Sequence, residues 1–97
     1  MSRAAIEAKL RELTDRIRRA REELAVLDEQ LVVFRDTADE TRMQATVDES
    51  ALSRSEHGEA QRHADAHART RDKLAATLSE LERSRDDLLD RLVLESG

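Results

Sequence analysis

Positions 6–38 read IEAKLRELTDRIRRAREELAVLDEQLVVFRDTA, and the apolar residues in this run keep a strict rhythm. Ile6, Leu10, Leu13, Ile17, Ala20, Leu24, Leu27, Leu31, Phe34 and Ala38 follow one another at alternating steps of four and three. That spacing holds a stripe on one side of a helix and is the a/d seam of a coiled coil, with Ile6, Leu13, Ala20, Leu27 and Phe34 at d. Carried forward, the register gives Thr41 and Ala45 and then fades at Asp48.

The rhythm resumes in the second half with Leu74, Leu78, Leu81, Leu88 and Leu92, provided that Arg85 fills the intervening a position. Run backward, it places Arg71, His67, Ala64, Ala60 and His57 on the same stripe. Between the halves lies TVDESALSRSE, where Asp48, Ser50 and Ser53 are good N-caps and Ser53 with Glu56 spells a capping box. The expected fold is all-α: helix one over about 3–47, a turn near 48–53 and helix two over about 51–94, an antiparallel two-helix coiled-coil hairpin forming one domain over residues 1–97. A turn there pairs positions whose numbers sum to about 101, which sets Leu10 against the region of Leu92 and Ala38 against Ala64, large against large and small against small. One uninterrupted helix through position 50 stays open, because no Gly or Pro forces a stop.

Composition supports this reading and limits function. Of 97 residues 40% are charged and 1% aromatic, with no proline and two glycines, so sheet formers and turn punctuation are both scarce. The absence of cysteine excludes disulfides and thiolate chemistry. The start, MSRAAIEAKLREL, has no apolar run long enough for a signal peptide or a membrane span, and arginine far outnumbers lysine as in GC-rich genomes, so the expected setting is the bacterial cytoplasm. A net charge of -5 with interleaved signs argues against a nucleic-acid surface. The arginines of RELTDRIRRAREE alternate with Glu12, Asp15, Glu22 and Glu23, the pattern of a salt-bridged solvated face.

The histidines His57, His63 and His67 crowd into HGEAQRHADAHA. Glu59, His63 and His67 rise along one helical face at steps of four, yet they span more turns than one ion bridges, and no Glu-x-x-His pair exists to build a di-iron bundle. No metal or other cofactor is expected. His57 and His67 read as seam residues and His63 as a solvated g residue, with a pH-responsive seam as the alternative. Arg71 and Arg85 at a positions suit setting of register; anion or nucleotide binding between the helices is the other use open to them. With no nucleophile elbow, no paired carboxylates, no Gly-rich loop and no pocket expected in a two-helix layer, enzyme activity is not expected.

Two apolar strips do not fit a solitary hairpin. Val26, Val32 and Val33 fall at c and b, and Leu89, Val93 and Leu94 also lie off the seam. A two-helix layer leaves half of each seam leucine wet, so association is expected, most simply a homodimer forming a four-helix bundle, or docking on a protein partner. The chain thus reads as a protein–protein interaction module, a regulator or adaptor, with a ligand-responsive switch that binds an anionic nucleotide or a metal between the helices as the alternative. Near the turn, Asp36, Asp39, Glu40, Asp48, Glu49, Glu56 and Glu59 outnumber Arg35, Arg42 and Arg54. In outline an acidic hairpin tip resembles the coiled-coil arm of Gre-type transcription factors, which enters RNA polymerase; the likeness is one of topology and implies, as a third reading, a polymerase binder using Asp39, Glu40, Asp48 and Glu49.

Overall fold

The computed structural model describes residues 1–96, the side chain of Ser96 excepted; Gly97 lies outside the described residues. Two helices make up the chain, α1 over Arg3–Asp48 and α2 over Ala51–Ser96, and no strand occurs among the described residues. The chain does not run on as one helix. The turn expected over 48–53 takes only Glu49 and Ser50, and each helix continues slightly past its expected end.

α1 starts at an N-cap, with the amide of Ala5 donating to Oγ of Ser2 at 3.2 Å. It ends without a glycine. Glu49 adopts φ 54°, the left-handed conformation that usually closes a helix, where a β-carbon costs roughly 1–2 kcal/mol. Its amide still donates to the Ala45 carbonyl at 3.0 Å, and its own carbonyl accepts from Nη1 of Arg54 at 2.9 Å. α2 then opens on Ser50, whose Oγ accepts the amide of Ser53 at 3.1 Å. The Ser53–Glu56 capping box expected from sequence is therefore not the one used. Ser53 sits a full turn inside the helix and is only 5% exposed, because two further steps of the second register put Ser53 and Ser50 themselves on the seam.

By packing, the chain divides into two compact units: Met1–Leu24 with Leu74–Gly97, and Ala25–Lys73. The first holds the apolar core. Ile6, Leu13, Ile17, Ala20, Leu78, Leu81 and Leu88 are buried together, with Leu10, Leu24, Leu74 and Leu92 packed against them. Its two segments run antiparallel, since Met1 and Ile6 share a surface groove with Arg91 and Leu94 while Arg21 reaches Glu82 at 3.8 Å.

The second unit contains the turn and is by itself a helical hairpin with a thin core of Ala38, Ala60 and Ala64, against which Phe34 packs. Asp28 meets Arg71, Phe34 meets His67 and Thr41 meets His57, an antiparallel order close to the pairing expected from sequence. In both units the side chains with least exposure are those of the a/d seam. Threonines in the helix interiors are accommodated by donating back one turn, as Thr37 does to the Val33 carbonyl and Thr70 to that of Ala66.

Candidate interaction face

The hairpin unit gathers the polar and aromatic seam residues. The rings of Phe34 and His67 lie 4.8 Å apart and tilted by 36°, and His63 approaches the same phenyl ring edge-on at 6.4 Å and 84°. His67 is half-buried, and its Nε2 is buried with no hydrogen-bond partner. Nearer the turn, Nδ1 of His57 lies 3.4 Å from Oγ1 of Thr41. That hydroxyl also lies within hydrogen-bond distance of the carbonyls of Thr37 and Ala38 on its own helix, at 2.9 and 3.0 Å. His57 and His67 thus occupy the seam as expected, and His63 stands exposed beside it with Nε2 at 4.0 Å from Glu59. Among the described residues no three histidine or acidic side chains gather as a metal site would require.

At the turn a run of hydrogen bonds ties the helices together. Ser50 donates to Ser53 at 2.9 Å, Ser53 to Oδ2 of Asp48 at 2.8 Å, and Nε2 of Gln44 donates to the same oxygen at 2.9 Å. The Gln44 bond first, and the Ser53 bond second, hold the Asp48 carboxyl below the usual aspartate range. Of the candidate tip acids, Asp48 therefore has a structural task; Asp39 lies 3.7 Å from Arg42, and Glu40 and Glu49 are exposed. The role of Ser53 is missed by the cap reading but is legible in the heptad register.

The two seam arginines differ. Nε of Arg71 bonds Oδ1 of Asp28 across the layer at 2.7 Å, with Asp72 at 3.3 Å on its own helix, and Asp28 foremost raises its pKa. This is the register-setting contact expected of a polar a residue. Arg85 finds only its neighbour Asp86, at 3.5 Å. Along α1, Arg18 bridges Asp15 and Glu22, and Arg19 also bonds Asp15, so RELTDRIRRAREE is the salt-bridged face that its pattern implies. Asp15 is held below the usual range chiefly by Arg18 and then by Arg19.

The off-seam apolar residues Val26, Val32, Val33, Leu89, Val93 and Leu94 are all exposed. So are Met43, Val47 and Leu52 near the turn, which the sequence reading did not single out although all three fall off the seam at f and c. Contrary to expectation, the layer is not free of concavity. Val33, Phe34, Thr37, Thr41, Ala60 and His63, with Glu56 and Glu59 at one end, line a groove of roughly 400 Å³ open to solvent. A second shallow groove, lined by Phe34, His63, Ala66, His67 and Thr70, adjoins it on the same side of the unit. The concavity follows from small residues: where alanines fill the seam, side chains cannot close the surface above it. Comparison of the chain with family models, with curated proteins and with solved structures finds no match.

Proposed function

We propose that this chain is a non-enzymatic protein–protein interaction module, a bacterial regulator or adaptor that works by helix association, most simply as a homodimer forming a four-helix bundle. One observation carries this reading: large apolar side chains stand exposed off the seam in both units. The grooves are open to solvent, which suits the side chains of another helix better than a small molecule, whose site would enclose most of it. No helix among the described residues is long and apolar enough to cross a membrane.

The test is the mass of the full chain in solution by sedimentation equilibrium, together with its helicity, from micromolar to millimolar concentration. The reading requires a helical chain that associates without added ligand. A helical chain that stays monomeric at every concentration and captures no protein from its native host would sink it.

A further inference from the structure

The outer positions flanking the seam differ sharply between the two sides of the hairpin unit. On one side lie Ala25, Asp28, Val32, Arg35 and Asp39 of α1 and Asp65 and Asp72 of α2, with the Arg71–Asp28 bridge between them. On the other, α1 presents Val26, Gln30, Val33 and Thr37 in succession, and α2 presents His63, Ala66 and Thr70. That strip has no formal charge over its length, in a chain of which 40% is charged, and both grooves open along it. It ends at Glu59 toward the turn and at Lys73 away from it, each seven residues from Ala66.

Building on the association reading above, we infer that this strip is the self-association face, and that a second copy of the chain packs on it with the two turns at opposite ends and the dyad at Ala66. Three features point to a second copy in this orientation. The strip is closed by opposite charges at equal distances from a small residue, so antiparallel stacking of α2 on α2 brings Glu59 of each copy against Lys73 of the other, each about 10 Å from the dyad. With the turns at the same end, the acids Glu40, Glu56 and Glu59 of the two copies would instead meet one another. Ala66 at the centre also lets backbones approach closely, and Phe34 and His67, both half-exposed here, would gain the second layer that a two-helix seam lacks.

Neighbouring valines provide the discriminating experiment. Val32 and Val33 are 59% and 64% exposed, but only Val33 lies on the strip and near the dyad, where a substitution acts twice. By sedimentation equilibrium of the full chain, with helicity checked by circular dichroism, Val33→Glu should raise the dimer Kd about a hundredfold, whereas Val32→Glu should change it less than about threefold. Glu59→Lys and Lys73→Glu should each weaken the dimer about tenfold, and the two together should restore it. A dimer that survives Val33→Glu, or that Val32→Glu disrupts equally, assigns association to another face and overturns this proposal while leaving the association reading intact. Failure of the double swap to restore the dimer overturns the orientation. A chain monomeric throughout defeats self-association itself.

Discussion

His67 and Glu49 each hold a conformation or contact that another residue would hold at lower cost. The Nε2 of His67 is buried without a partner, and leaving such a nitrogen unsatisfied costs roughly 1–3 kcal/mol. His67→Leu keeps a side chain of similar size against Phe34 and removes that cost. It should stabilise the chain by about 1 kcal/mol in urea titrations at low micromolar concentration, with no zinc or nickel dependence in either protein. A less stable leucine variant would mean that the imidazole has a role the packing does not explain. At Glu49, φ of 54° strains a residue with a β-carbon by roughly 1–2 kcal/mol, of which glycine returns roughly 0.5–1 through its freer unfolded chain. Glu49→Gly should therefore raise stability by about 0.5 kcal/mol; a loss of stability in the same titration would show that the Glu49 side chain makes up for its backbone.

At the scale of elements, one carboxylate accepts hydrogen bonds from both sides of the joint between α1 and α2. Asp48 accepts from Gln44 and Ser53, and these bonds depress its pKa in the folded state. A depressed carboxylate stabilises the fold above its unfolded-state value, and that contribution disappears as the pH falls through the folded one. Stability should thus decline below about pH 4, with Asp15, held low by Arg18 and Arg19, contributing in the same direction. Asp48→Asn should flatten part of that acid decline in melting temperatures measured between pH 2 and 7. An unchanged acid limb would show that Asp48 makes no net contribution through its charge. Both helices were legible in the heptad steps to within two residues. The cap was not, because Ser50, Ser53 and Asp48 are all competent N-caps, and only the burial of Ser53 on the seam decides among them.

For the molecule as a whole, the seam in either unit is one layer thick, and half-exposed residues such as Leu10, Leu24, Leu74 and Leu92 gain only part of the roughly 1.5–3 kcal/mol that full burial gives. A chain built this way should draw stability from association. Because the associated form is favoured by mass action, its melting temperature should rise by about 3–5 °C for each tenfold increase in concentration. Calorimetric scans over two decades of concentration measure this directly, and a melting temperature independent of concentration would show that each chain is stable alone. The sequence made the exposed residues readable, since an apolar residue at b, c, e or f cannot reach its own seam. It did not single out the groove. That concavity arises where Ala38, Ala60 and Ala64 fill the seam and leave Phe34 and the histidines standing above it.

The sequence alone determined the helical periodicity of both halves, the residues of the seam and the salt-bridged face of α1, because each follows from spacing along a helix and needs no knowledge of what lies opposite. Only the tertiary structure decided that the chain turns at Glu49 and Ser50, that Ser50 caps α2, that Asp48 is committed to Gln44 and Ser53, that Arg71 bonds Asp28 across the layer while Arg85 does not reach across, that Nε2 of His67 is orphaned, and that one side of the hairpin unit is grooved. These depend on which side chains meet across the layer and how much space they leave, and neither is encoded in the periodicity of a single strand of sequence.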